Sequence, residues 1–204
     1  MSVPPKSRLP LFPLPVVLLP TGVMPLQIFE PRYREMVERC LSGDRRFGFI
    51  YHDSDVQGPF LTEEGAIGCV AEIMSSEPLP DGRSLILVKG RERFTIEDGI
   101  ESGTPYYEAL VSPYGDHEEA DRAALAFQRN RTLAIFHEMV GFLGTGEGEV
   151  PEFDPTEELS FPLARTVDVS PPWKQSFLAL RREVHRLERL DALFRAALDA
   201  GLDP

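Results

Sequence analysis

The chain has 204 residues, 42% hydrophobic and 26% charged, which is enough globular chain for one large domain or two small ones with a buried core. No apolar run is long enough for a membrane span, and the two cysteines are too few for a disulfide framework or a zinc site. The net charge of −12 is concentrated in the middle: residues 51–170 carry −16 against +3 before and +1 after, which disfavours general binding to a phosphate backbone.

The start, MSVPPKSRLP, lacks the continuous apolar region of a secretory signal, and Pro13, Pro15 and Pro20 interrupt the apolar residues after it, so the chain reads as cytoplasmic. Leu9–Leu14 and Val16–Leu19 are short apolar runs split by prolines, which suit barrel edges or bends better than a central strand. PLQIFEPRYREMVERC, Pro25 to Cys40, reads as a strand-to-helix junction. Pro31 fits a first helical turn, where its missing N–H is no loss, and Tyr33, Met36, Val37 and Cys40 share one helix face.

Phe47–Tyr51 and Ala66–Ile73 are short strands, and Gly68 in the second marks a close backbone approach. Asp81-Gly82 signals a turn. Beyond it, Ser84–Lys89 and Arg91–Glu97 read as two strands around Gly90, with Phe94 and Ile96 alternating against Arg93, Thr95 and Glu97. Tyr106–Val111 adds a further strand, in which Tyr106 and Tyr107 point to opposite faces. Short strands at this spacing predict a closed or nearly closed barrel.

From about His117 the period becomes helical. Leu125, Leu133, Phe136, Met139, Val140 and Leu143 line one helix, and Gly144–Val150 opens an acidic loop. Asp154-Pro155 with Glu157 resembles a capped helix start, short or bent near Pro162, and Ser170-Pro171 repeats the device. One last helix, about 172–200, aligns Phe177, Leu180, Val184, Leu187, Leu190, Phe194 and Ala197. A β-rich body followed by helices is an α+β arrangement, divided here as residues 1–115 and 116–204.

Motifs that carry chemistry are missing. His137-Glu138 lacks the second histidine that a zinc-binding HExxH helix needs. Gly144–Val150 has glycines but no Lys-Ser/Thr, and its two glutamates oppose phosphate. No GxSxG elbow occurs. Lys6, Lys89 and Lys174 are the three lysines available for a serine–lysine pair, and Lys89 and Lys174 read as surface groups. His52, His117, His137 and His185 show no ligand spacing, and Cys40 and Cys69 read as packed apolar residues. No enzyme activity, cofactor or metal is expected.

The run LPLFPLPVVLLPTGVMPLQIFEPRYREMVERCL resembles the start of the Lon protease N-terminal (LON substrate-binding) domain family, through Leu9 to Leu14, Pro25-Leu26 and Ile28 to Tyr33. Ile67–Ile73 and Leu79–Ile96, with Gly90 and Arg93-Phe94, are similar to that family's second block, and KQSFLALRREVHRLERLDALF to its terminal helix. The resemblance covers residues 9–198. It implies an N-terminal PUA-like β pseudo-barrel with one inserted helix, followed by a C-terminal helical bundle. With no Walker motif or serine–lysine dyad, the chain resembles a stand-alone bacterial member. Its implied partners are unfolded or tagged polypeptides, with an adaptor or regulator role beside a protease complex as the extension of that reading; oligomeric state is open. The candidate polypeptide-binding residues are Phe29, Glu30, Arg32, Tyr33, Arg93, Tyr107 and Trp173. The alternative is RNA binding, as in other PUA-like barrels, which requires Arg45, Arg46, Arg91 and Arg93 to converge on one face.

Overall fold

Six strands and six helices follow one another in the residues that the computed structural model describes, 6–143 and 151–202. The order is β1 (Ser7–Leu14), β2 (Val23–Ile28), α1 (Pro31–Leu41), β3 (Arg46–Tyr51), the single turn α2 (Ser54–Gln57), β4 (Ile67–Pro78), β5 (Ser84–Gly99), β6 (Tyr107–Pro113), α3 (Arg122–Leu143), α4 (Ser160–Ala164), α5 (Pro171–Leu178) and α6 (Glu183–Leu202). They divide into two compact units. One holds the chain up to residue 115 together with 169–179; the other holds 116–168 together with the chain from 180 on.

In the first unit five strands close a ring. β1 runs parallel to β3, and the antiparallel pairs β3–β4, β4–β5, β5–β6 and β6–β1 complete it. β2 joins β5 alone. β5 manages both roles by changing partner along its 16 residues: positions 84–89 pair with β2, and positions 94–99 with β6. Gly90 lies between the two stretches. Thr21 N–H donates to its carbonyl (2.9 Å), and its own N–H donates to Gly22 O (2.7 Å). A Cβ on Gly90 would stand 2.2 Å from the carbonyl oxygen of Leu19. The expectation of two strands around Gly90 is therefore corrected. One strand runs through it, and the glycine admits the preceding bend rather than making a turn. That bend contains the apolar run at 16–19, which forms no strand although Val17, Leu18 and Leu19 are buried.

The sheet is apolar on both faces. On one, α1 lays Tyr33, Met36, Val37 and Cys40 against Phe12, Phe47, Phe49, Ile73, Ile86 and Val88. On the other, Leu9, Leu11, Ile50, Val70, Phe94, Ile96 and Val111 pack together. There the Phe94 ring occupies the space that Cβ atoms on Gly48 and Gly68 would need, at 2.8 and 2.5 Å. Pairing passes from Ala71–Gly90 to Cys69–Arg93, so β5 holds one extra residue. The bulge and a covered outer face bury Arg93 as well as Phe94, where simple alternation predicts a half-exposed arginine. Cys40 and Cys69 are buried thiols, and burial pushes both up to about 12.

In the second unit Ile135, Phe136 and Met139 of α3 are buried, as are Leu187, Leu190 and Phe194 of α6. The Phe136 and Phe194 rings lie 5.6 Å apart. Gln128 Nε2 on α3 donates to Asp191 Oδ2 on α6 at 2.9 Å, so part of this interface is a buried polar contact. Arg186 is fully buried. It forks onto Asp116 at 2.8 and 2.7 Å, donates to Ser160 Oγ at 2.7 Å, and lies 4.4 Å from the centre of the Phe161 ring.

Two helix expectations are corrected. Asp154 caps only a turn, accepting from Thr156 N–H at 2.8 Å. Helix α4 starts at Ser160 instead, because the Glu158 carboxylate accepts from the N–H groups of Ser160 (3.1 Å) and Phe161 (3.2 Å). The last helix is two helices, α5 and α6, broken at 179–182. Ser170 caps α5 as its sequence predicts. Gly144–Val150 and the Leu143 side chain lie outside the described residues.

Candidate functional site

β2 and the first half of β5 form an arm with one covered face. Leu26, Ile28, Ile86 and Val88 point into the core beneath α1. Alternation then sends Val23, Pro25, Gln27, Leu85 and Leu87 outward, all of them exposed. Register places Pro25 opposite Leu87 and Gln27 opposite Leu85. Met74 is exposed beside them, in the β4 irregularity between Ile73 and Ser75. Phe29 follows β2 directly and is 61% exposed. Large apolar side chains thus share one uncovered sheet face ending at an exposed aromatic ring, which for a folded surface marks an interaction site.

β2 is also the strand with a free edge among the described residues. The Gly90 N–H to Gly22 O bond sets the pairing phase, so Val23, Pro25 and Gln27 carry the backbone groups on that edge. Pro25 has no N–H to offer there. A proline in an edge strand opposes the addition of another strand. The arm is therefore built for side-chain contact rather than for continuing the sheet.

At the junction with α1, Glu30 N-caps the helix by position, and its carbonyl accepts from Tyr33 and Arg34 N–H, each at 3.0 Å. Arg32 pairs with Glu30 at 2.8 Å. Its guanidinium carbon stands 4.5 Å from the centre of the Tyr33 ring and 5.8 Å from that of Tyr107, within cation–π reach of both. Tyr107 continues the row to Phe60 (4.7 Å), and Phe60 to His52 (5.2 Å). Tyr106, just before β6, is buried, and its hydroxyl accepts from Arg39 at 2.8 Å. Beside it Glu108 is buried and held by Arg8 and Arg39. Burial, the largest single influence, raises that carboxyl, but the hydrogen bonds from Arg8 and Ser102 and the charges of Arg8 and Arg39 together outweigh it and leave Glu108 below the usual carboxylate range.

Of the seven residues expected at a binding site, the fold gathers Phe29, Glu30, Arg32, Tyr33 and Tyr107 at this junction. Tyr33 is only 3% exposed and packs on Phe12 at 4.3 Å; burial raises its hydroxyl to about 12, so it supports Arg32 rather than presenting a polar tip. Arg93 and Trp173 are elsewhere. Arg93 is buried and donates to the Leu178 carbonyl at 2.5 Å, and half-buried Trp173 stacks on Phe177 with ring centres 5.0 Å apart. Sequence reasoning missed the outward face of β2 and β5. Its trace is the run Leu85-Ile86-Leu87-Val88, apolar at every position, where a half-covered strand would alternate.

The four arginines that an RNA surface requires do not form one. Arg46 pairs with Glu92 (2.7 Å), Arg91 with Glu72 (2.6 Å), Arg45 donates to Ile73 O (2.9 Å), and Arg93 is buried. Among the described residues no group of three His, Cys, Asp or Glu side chains could hold a metal ion, and no helix is long and apolar enough to cross a membrane.

Comparison with known proteins agrees with this architecture. The family model for the ATP-dependent protease La (LON) substrate-binding domain matches residues 8–193. The chain is 26% identical over 208 residues to the Lon protease of Haemophilus influenzae, covering 95% of this chain and 25% of that protein. It spans between 14% and 25% of the length of the curated relatives it matches. Among solved structures, the Lon N-terminal domain protein from Xanthomonas campestris superposes with a TM-score of 0.62 at 23% identity, covering 91% of this chain and 98% of that one. The N-terminal domain of Mycobacterium avium complex Lon protease gives 0.66 at 16% identity, covering 93% and 98%.

Proposed function

Because the chain belongs to the ATP-dependent protease La (LON) substrate-binding domain family, we propose that it is a non-catalytic recognition module for unfolded or tagged polypeptides, acting as an adaptor or regulator in proteolysis. The observation that carries this reading is the uncovered apolar face made by Val23, Pro25, Met74, Leu85 and Leu87, ending at Phe29. An unfolded chain exposes the apolar side chains that a folded one hides. Each such side chain buried on the face gains about 25 cal/mol per Å² of apolar area removed from water. Ordering the bound segment offsets much of that gain, so each site binds weakly and several contacts along one chain add up. The proline in β2 keeps recognition with side chains, which suits a reader of many sequences. Arg32, paired with Glu30 and within reach of two tyrosine rings, gives the corner a polar rim.

The test is fluorescence anisotropy with labelled, reduced and carboxymethylated α-lactalbumin, a permanently unfolded polypeptide, against its native disulfide-bonded form. The reading requires saturable binding of the unfolded form, weak or absent binding of the native form, and indifference to ATP. Equal affinity for both forms, or none for either, contradicts it.

A further inference from the structure

A groove of about 610 Å³ lies behind the open arm, between α1 and the tip of the β4–β5 hairpin. Its floor is apolar, with Val37, Leu41 and Leu79, and three arginines line it: Arg34, Arg45 and Arg83. Glu38 is the one carboxylate lining it among the described residues. The three arginines are placed by different devices. The turn at 79–83 closes with Leu79 N–H to Arg83 O (2.8 Å) and Gly82 N–H to Leu79 O (3.0 Å), and Gly82 takes φ 79°. A Cβ there would meet Arg34 Nη2 at 2.8 Å, so the glycine makes room for that guanidinium. Arg83 is fixed on the turn by Asp81 at 2.6 Å. Arg45 sits at φ 65°, a left-handed conformation rare outside glycine, and its Nε is tied to Ile73 O at 2.9 Å. In a chain of net charge −12 whose other arginines commonly meet carboxylates, Arg34 has no ion pair among the described residues.

Ser84 joins the two surfaces. It lines the groove, it pairs with Ile28 at the end of the arm, and the next residue, Leu85, faces the open side. A polypeptide leaving the apolar face past this end of the sheet enters the groove. We infer that the groove takes the carboxylates of an acidic segment adjoining the apolar stretch, so that the preferred polypeptide is apolar followed by Asp or Glu. This rests on the polypeptide-binding reading above. A peptide fits better than a nucleic acid. Arg83 in the groove is already paired with Asp81, and nearby Arg46 and Arg91 with Glu92 and Glu72, so the cationic stretch is short, whereas a phosphate backbone needs a continued basic track.

The test uses the full chain and three labelled peptides that share one apolar segment and end in a glutamate, glutamine or lysine tail. At low ionic strength the glutamate-tailed peptide binds about tenfold more tightly than the glutamine-tailed one, as expected for a few surface ion pairs, and the lysine-tailed one binds weakest. In about 0.5 M salt the difference collapses. Arg34→Gln, and more strongly Arg34→Glu, removes most of the preference and leaves the glutamine-tailed affinity unchanged. If all three peptides bind equally, the groove assignment is overturned while the polypeptide-binding reading stands. If none binds, both fail. If a single-stranded oligonucleotide binds the groove more tightly than the glutamate tail, and Arg34→Glu weakens it, the groove is a nucleic-acid site and the inference is wrong.

Discussion

The guanidinium of Arg93 on β5 donates to the carbonyl oxygen of Leu178, the last residue of α5, at 2.5 Å. Arg93 also lies over the Tyr114 ring, 5.2 Å from its centre. The Tyr114 hydroxyl in turn donates to the next carbonyl, Ala179 O, at 2.9 Å. In the second unit Leu180 O accepts from Arg186 at 2.9 Å and Arg181 O from His117 N–H at 2.7 Å. Four successive carbonyls that a continuous helix would use internally therefore have other partners: Arg93, Tyr114 and His117 from distant parts of the chain, and Arg186 from the helix that follows. Arg93→Met keeps the volume but leaves the Leu178 carbonyl and the Tyr114 ring without their cation. It should destabilise the protein by about 2 kcal/mol in urea denaturation, with Arg93→Lys intermediate and polypeptide affinity unchanged in both.

That break was invisible in the sequence. Ala179-Leu180-Arg181-Arg182 contains no glycine or proline and consists of good helix formers, so pattern alone continues the helix. By contrast the face of α1 was legible to the residue, because Tyr33, Met36, Val37 and Cys40 answer to local periodicity. So was the Ser170 cap, a local interaction with Trp173 N–H. The candidate site divides in the same way. Phe29, Glu30 and Arg32 lie together at one junction that sequence marks. The outward face beside them depends on β2 lying against β5, 60 residues apart at Leu26–Ile86 and so beyond any local signal; the shift of Arg93 into the core depends on a bulge.

Gly90→Ala should be among the most disruptive small substitutions in the first unit. The added methyl would meet backbone, Leu19 O at 2.2 Å, rather than a side chain that can swing aside. A loss of about 3 kcal/mol is expected from thermal or chemical denaturation. A neutral outcome would mean that the bend before β2 does not cross β5 as described.

Thr21→Gly should do the reverse. Thr21 and Gly22 together face Gly90, and Thr21 takes φ 62°, unfavourable for a β-branched residue. Glycine relieves that strain at some cost in chain entropy, for a net gain of about 0.5 kcal/mol, read as a rise in Tm.

Glu108 makes stability depend on acid. Its carboxyl is buried, which raises it, but the hydrogen bonds from Arg8 and Ser102 with the charges of Arg8 and Arg39 together hold it below the usual range. The folded protein thus binds fewer protons at this group than the unfolded chain. Its contribution is full above the unfolded value, about 4.3, and is lost as pH falls through the lower folded value. Urea midpoints of the wild type and Glu108→Gln should differ most at neutral pH and converge below about pH 4. A constant gap down to acid would show that the carboxylate charge is not what stabilises this part of β6.

Contact between the open arm and an unfolded chain can be read directly by site-specific crosslinking. A photoreactive phenylalanine analogue placed at Leu87, exposed on the outward face, should crosslink labelled unfolded α-lactalbumin, and Phe29→Ser in the same protein should reduce the yield several-fold. The same analogue at Arg195, exposed on α6, serves as the reference. Strong crosslinking at Leu87 with little at Arg195 is the predicted result; equal yields at the two positions, or a yield at Leu87 untouched by Phe29→Ser, would contradict it.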